Sequence, residues 1–257
     1  MRAATSKSWS MGVLSLAAAL ACALLAGCPS NIDLSHLTPQ QRAQARLIHR
    51  GRLIFDQTHK YAPKWVGNQL ACGDCHLQSG TAAYAVPMID VAGLFPMYSK
   101  RAGRVISLQE RIQECFVRSE SGKPLPKDSP QMHALVAYIN WLSRNQVGRQ
   151  PYQERGLIKL PALKGDPVRG KAVYDTQCAV CHRRRGVGLP PVIPAMWGRN
   201  SYNDGAGMND PGKLAAFVAH NMPKYNPSTL TPQQAYDIAA FIHTMPRPRL
   251  NKAYRHY

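Results

Sequence analysis

The sequence predicts an all-α chain in which one helical unit is built twice in tandem, and three observations predict it. A C-x-x-C-H motif occurs twice, as Cys72-Gly73-Asp74-Cys75-His76 and Cys178-Ala179-Val180-Cys181-His182. Ahead of the first motif lies Arg50-Gly51-Arg52-Leu53-Ile54-Phe55-Asp56, echoed ahead of the second by Arg169-Gly170-Lys171-Ala172-Val173-Tyr174-Asp175. After each motif comes a loop-rich stretch and then an apolar helix, Met132 to Leu142 and Gln233 to Ile242. Both of these helices start at proline behind a capping residue, Ser129-Pro130 and Thr231-Pro232. Proline suits the first helical position because its missing N–H has no partner to lose there. The opening helix carries the same signal, since Thr38-Pro39-Gln40-Gln41 and Thr231-Pro232-Gln233-Gln234 are both capping boxes. The first copy differs by extra residues, His59 to Ala71, before its motif.

Composition sets the frame. A chain of 257 residues holds one or two domains, and 45% hydrophobic with 18% charged residues excludes wholesale disorder. Twenty prolines and nineteen glycines point to many connections between short elements and against a long coiled coil. Arg2 and Lys7 precede an apolar run from Met11 to Ala26, the pattern of a secretory leader. The run ends in Leu24-Leu25-Ala26-Gly27-Cys28, which resembles the lipobox of bacterial lipoproteins and implies lipidation at Cys28. The expectation is a periplasmic protein anchored to a membrane through that lipid. Export and the lack of any recognition motif exclude nucleic acid as the reason for the net charge of +18.

Cys22 leaves with the leader and Cys28 goes to lipid, so Cys72, Cys75, Cys115, Cys178 and Cys181 remain. C-x-x-C-H is the attachment signal for c-type haem: the thiols add to the vinyl groups and the adjacent histidine meets the iron. Two copies in an exported chain imply two covalently bound haem c groups, and a redox dithiol explains neither histidine. The whole resembles the small mono-haem cytochrome c fold in tandem, two cytochrome c domains each with one attached haem. In that fold Gly-x-x-x-aromatic on the first helix meets aromatics on the last. Tyr138 and Trp141 would serve one copy, Tyr236 and Phe241 the other. The expected divisions are a leader over 1–27, a tether and helix start over 28–46, and an N-terminal domain over 47–146. A Gly-, Pro- and Arg-containing linker over 147–166 and a C-terminal domain over 167–257 complete the chain.

The remaining iron ligands follow from spacing. Asn221-Met222-Pro223 places Met222 40 residues after His182, where this fold supplies its axial methionine. Cys115, the odd thiol, falls 39 residues after His76, at the matching place in the first copy. The first haem is therefore read as His76/Cys115, with Met88 and Met97 as rivals. The second is read as His182/Met222, with Lys224 and Met208 as rivals. Thiolate lowers a haem potential and thioether raises it, so the pair would differ, one for chemistry and one for electron exit. Ser107-Leu108-Gln109-Glu110 is a capping box opening a helix to about Arg118. Spacings of four put Arg111, Cys115 and Ser119 on one face. With Lys100, Arg101, Arg104 and Arg118 near in sequence, a basic wall around a sulfur suits a small divalent anion.

Arg111-Ile112-x-x-Cys115-Phe116-x-Arg118-Ser119-x-x-Gly122-Lys123-Pro124-Leu125 resembles the signature of the di-haem thiosulfate dehydrogenases. Gly67-Asn68-x-Leu70-x-Cys72, Phe95-Pro96-Met97-Tyr98 and Tyr138-x-x-Trp141-Leu142-Ser143 agree. So do Trp197-Gly198, Ser201-x-Asn203-x-Gly205-Ala206-Gly207-Met208 and Asn221-Met222-Pro223, so the likeness runs from about Leu47 to Arg247. The resemblance implies oxidation of two thiosulfates to tetrathionate, with electrons leaving by the second haem to a periplasmic acceptor such as a small cytochrome c. Some members run mainly in reverse, as tetrathionate reductases. It assigns substrate contacts to Arg101, Arg111 and Ser119, with Gln78 in addition, around Cys115. The sequence departs at Pro223-Lys224-Tyr225-Asn226, where the family often has a Gly-rich turn. Three other classes stay open: a di-haem electron carrier, a Sox-type cytochrome acting on a carrier-bound substrate, and a lipoprotein with structural haems.

Overall fold

The computed structural model describes residues 37–144 and 154–257. The leader, Cys28 and the first part of the expected linker (147–153) lie outside the described residues. Helix α1 (Pro39–Asp56) opens with the Thr38 capping box: the Gln41 N–H donates to Thr38 Oγ1 at 3.2 Å and the Thr38 N–H to Gln41 Oε1 at 2.8 Å. A short turn (Thr58–Tyr61) and the first C-x-x-C-H segment follow, and the buried Thr58 hydroxyl accepts from the Cys72 N–H at 3.1 Å. A two-stranded hairpin, β1 (Met97–Ser99) antiparallel to β2 (Arg104–Ile106), leads into α2 (Leu108–Arg118). Helix α3 (Pro130–Arg144) crosses α1 to close the unit.

That crossing is close because Gly51 has no side chain. A Cβ there would run into the Ala134 carbonyl and the Tyr138 side chain of α3. One turn on, Phe55 meets Tyr138 edge-on at 5.6 Å, and Tyr138 stacks on Trp141 at 6.1 Å. The second unit repeats the device. Helix α4 (Pro167–Val173) is capped by Asp166, and a Cβ on Gly170 would meet the Asp237 carbonyl of α6 (Pro232–His243). The Arg169 guanidinium then grips the Asp237 carboxylate through Nε at 2.7 Å and Nη2 at 2.9 Å. Tyr174 packs on Phe241 at 5.4 Å, as expected of Phe241. Its second aromatic neighbour is Trp197, at 5.1 Å, and Tyr236 sits at the edge of this core with its carbonyl against Gly165.

Between α4 and α6 lies a helix that the sequence reading leaves as loop, α5 (Pro211–Asn221). Asp210 caps it, accepting from the Lys213 N–H at 2.9 Å. The Pro-Gly start reads as a turn, and Leu214 to Ala219 are buried in succession, so no amphipathic period shows. Helix α5 stands in the second unit where α2 stands in the first.

The two units are clasped by hydrogen bonds. The Asn68 side-chain amide donates to the carbonyls of Ser119 (2.8 Å) and Ser201 (3.0 Å), and that of Asn203 to the Val117 carbonyl (2.8 Å). Asn221 donates to the Tyr84 carbonyl at 3.2 Å. Arg118, expected beside Cys115 in an anion-binding wall, is 7% exposed and faces the other unit. Its guanidinium donates to main-chain oxygens of Tyr257, Gly205 and Arg255. These oxygens have no partner in a helix or strand, and a five-donor fork satisfies several at once. Arg118 is a clasp between units.

Helix α2 depends on Glu110, whose carboxylate completes the capping box and also meets Arg104 (3.1 Å) and Lys127 (3.3 Å). Its pKa is held down to about 2, first by the Ser107 backbone N–H and then by Lys127, the Ser107 hydroxyl and Arg104. A folded value below the ordinary 4.5 means the stabilisation is complete above that pH and is lost as pH falls toward the folded value. The stability gap between wild type and Glu110→Gln, read from urea midpoints, should therefore narrow steadily as pH drops from about 5 to about 2. Gly170→Ala should cost roughly 1–3 kcal/mol in the same assay, because the new methyl has backbone and not a flexible side chain in its way.

Candidate functional site

The first C-x-x-C-H segment, α2 and the second unit enclose a largely apolar cavity of about 230 Å³. Cys72, Cys75 and His76 line it, as do Arg111, Cys115 and Ser119. His76 Nδ1 lies 2.6 Å from the Val86 carbonyl, so Nδ1 carries the proton and Nε2 keeps a free lone pair. Burial drives His76 down to about 4, which keeps the ring neutral and fit to bind a metal. Burial also raises the Cys72 thiol well above its ordinary value and the Cys75 thiol to about 12. A redox dithiol needs the opposite shift, toward thiolate at neutral pH. Among the described residues no three His, Cys, Asp or Glu side chains converge as ligands for a bare metal ion. The arrangement instead fits a haem, which brings its own four nitrogens and asks the protein for two thiols, one imidazole and an apolar wall.

The second segment shows the same chemistry. His182 Nδ1 is 3.0 Å from the Pro194 carbonyl, and burial lowers its pKa and lifts Cys178 to about 11. Met222 directly follows α5 and packs, with Cys178, against the second core. Its rivals are placed differently. Lys224 is exposed, and its charge acts on Asp74 of the first motif, where burial has raised that carboxyl to about 6. Met208 packs against the second core but also lines the first cavity, beside Tyr202 and Ala206 of its own unit. Both rivals of Cys115, Met88 and Met97, line the first cavity.

The arginines divide. Arg111 Nη1 donates to Glu114 Oε2 at 2.7 Å, and Arg101 Nη1 reaches the same oxygen at 3.8 Å. Glu114 is buried and also accepts from the Ser99 hydroxyl at 3.4 Å, so one carboxylate tethers both guanidinium groups; of the two, Arg111 lines the cavity with Cys115 and Arg101 does not. The Cys115 sulfur, and less strongly Glu114, hold Arg111 above the ordinary guanidinium value against the effect of burial. Arg104 turns to Glu110 and Lys100 is exposed, leaving Arg111 as the cation in the cavity wall, with Arg101 on the same carboxylate. Gln78 is exposed, at a left-handed backbone position (φ 53°), and is not part of the cavity wall.

Sequence reasoning missed two acids. Glu114 was readable, since it lies three residues after Arg111 on a helix. Glu120 was not: between two serines it reads as surface, yet it is 1% exposed, lines the cavity and leaves Oε2 without a partner. Burial, with Asp74 adding to it, raises its pKa well above the usual carboxylate range. Burial thus disfavours the charged form of an acid that would oppose an anion in the cavity.

Two helical units, each presenting two thiols and a carbonyl-anchored imidazole, define a di-haem c-type cytochrome. Residues 59–147 match the family model described as SoxA/TsdA, cytochrome c domain, and 167–246 match that of cytochrome c. A thiosulfate dehydrogenase of Allochromatium vinosum is 39% identical over 212 residues, 78% of this chain and 78% of that protein. One from Psychrobacter arcticus is also 39% identical over 207 residues, 78% of this chain, but the match spans 63% of that protein. The structure of thiosulfate dehydrogenase (TsdBA) from Marichromatium purpuratum, as isolated, superposes with a TM-score of 0.76 at 35% identity. That likeness covers 86% of this chain and 49% of the other, so the chain spans about half of that neighbour. The chain belongs to the thiosulfate dehydrogenase family and carries two covalently bound haem c groups. Replacing Cys178 and Cys181 together by alanine should lower the covalently bound haem from two groups per chain to one, as read by pyridine haemochrome after denaturation.

Proposed function

We propose that this chain joins two thiosulfate anions through their outer sulfurs to form tetrathionate. The supporting observation is that Cys115, Arg111 and Ser119 meet the first C-x-x-C-H segment at one cavity, with Arg101 held near Arg111 by their shared partner Glu114. Arg101 and Arg111 bind the sulfonate oxygens of the first anion and offset the repulsion that the second must overcome. Ser119, on the cavity wall one turn after Cys115, supplies a further hydroxyl. The Cys115 thiolate bonds to the outer sulfur of thiosulfate with loss of two electrons, giving a cysteine-bound thiosulfonate. A second thiosulfate attacks the outer sulfur of that adduct. Its new S–S bond forms as the bond to Cys115 breaks, so tetrathionate leaves, the thiolate is restored and no proton is consumed. The haems supply the one-electron acceptors for the released pair.

In this scheme residues 47–146 form the active-site domain, with His76 and Cys115 as iron ligands. Residues 167–257 form the exit domain, with His182 and Met222. The packing of Met222 with Cys178 against the second core, while Lys224 is exposed, supports methionine over lysine at the second iron. Lipidation at Cys28 would hold the chain at a membrane facing the periplasm. Among the described residues no helix is long and apolar enough to cross one. The holo-protein should reduce ferricyanide with thiosulfate, and Cys115→Ala should lose roughly a hundredfold or more of that rate while keeping both haems. Full activity in the variant would overturn the role of Cys115. Turnover only with tetrathionate and a reduced dye would establish the reverse direction.

A further inference from the structure

The two C-x-x-C-H segments meet very different surroundings. After His76 the chain turns back on its own unit, with the Ser79 hydroxyl donating to Asp56 at 2.8 Å, and Tyr202 and Met208 of the second unit close the cavity. After His182 come Arg183, Arg184 and Arg185, all exposed. Among the described residues none of the three has an acidic partner within ion-pair distance. Val180, between the two thiols, is 73% exposed, and Val187 and Leu189 are 50% and 51% exposed. Arg184 and Arg185 stand with Lys171 around a shallow groove floored by Trp197 and Phe241. Lys171 is neutralised by Asp175, but the arginines are not.

Three successive unpaired guanidinium groups repel one another, and a face kept only for solubility has no need of apolar side chains at its centre. An apolar centre with a cationic rim is the layout of a transient protein interface. The first motif carries no such arginines, so the feature belongs to the second haem and not to the fold. We infer that this face docks an acidic electron-carrier protein, which takes one electron per encounter from the reduced second haem, with no bond made or broken. The inference rests on the reading that electrons leave by that haem.

The test uses the dithionite-reduced holo-protein in stopped flow, with an oxidised acidic c-type cytochrome as acceptor and the small cationic tris(phenanthroline)cobalt(III) as control. The wild-type rate with the acidic cytochrome should fall steeply with salt. Arg184→Glu/Arg185→Glu should lose about tenfold or more at low salt and flatten the salt dependence, since it removes steering and adds repulsion. Its rate with the cobalt complex should not fall, which shows the haems and fold to be intact. Unchanged transfer to the acidic cytochrome, with the same salt slope, would overturn the proposal and leave the exit reading standing. Binding to anionic phosphatidylglycerol vesicles that the double variant loses, with no effect on the cytochrome, would overturn it in favour of a membrane contact. A Cys178→Ala/Cys181→Ala chain that still delivers electrons to both oxidants would remove the exit reading itself.

Discussion

Everything in each unit hangs on one backbone contact, the crossing of its first and last helices at a glycine. Gly51 over Ala134, and Gly170 over Asp237, bring backbone against backbone where any side chain would hold the helices apart. The close crossing puts Phe55 on Tyr138 and Tyr174 on Phe241. It also fixes the chain that runs from each first helix into its C-x-x-C-H segment. The imidazoles are then pinned from the far side by the Val86 and Pro194 carbonyls. A haem can be attached at two thiols and met by a histidine only if these pieces arrive together.

Within that shared frame the units have diverged in charge. The first holds two arginines on one buried carboxylate, one of them in the cavity wall, with a further acid there whose charged form burial disfavours. The second leaves Arg183, Arg184 and Arg185 in solvent near exposed valines. The same element also changed register with respect to its sulfur. Cys115 is held within α2, whereas Met222 stands just beyond the end of α5.

The sequence was most legible where a local rule is strict. Capping boxes at Thr38, Ser107 and Thr231 appear as read, because a side-chain oxygen three residues from an amide leaves few alternatives. The repeat exposed the tandem fold, and the odd cysteine pointed to the cavity. Legibility failed where the deciding partner is distant in the chain. Arg118 looked like its arginine neighbours until main-chain oxygens of Gly205, Arg255 and Tyr257 claimed it, 87 to 139 residues away. Helix α5 was hidden by being buried along its middle, and Met208 by belonging to two surroundings at once. Trp197 was missed as a packing partner because it lies in a loop and not on a helix face.

The presence of Tyr202, Ala206 and Met208 in the wall of the first cavity ties the two halves together in time as well as in space. A nascent chain that has completed only its first half has a haem pocket with one wall missing. The apolar group bound there would stay open to water until some 130 further residues after Cys72 had emerged and folded back. The two cytochrome units are thus not interchangeable beads on a string. The halves repeat one plan, but the shared wall means that the second cannot be swapped or shortened without unsealing the first.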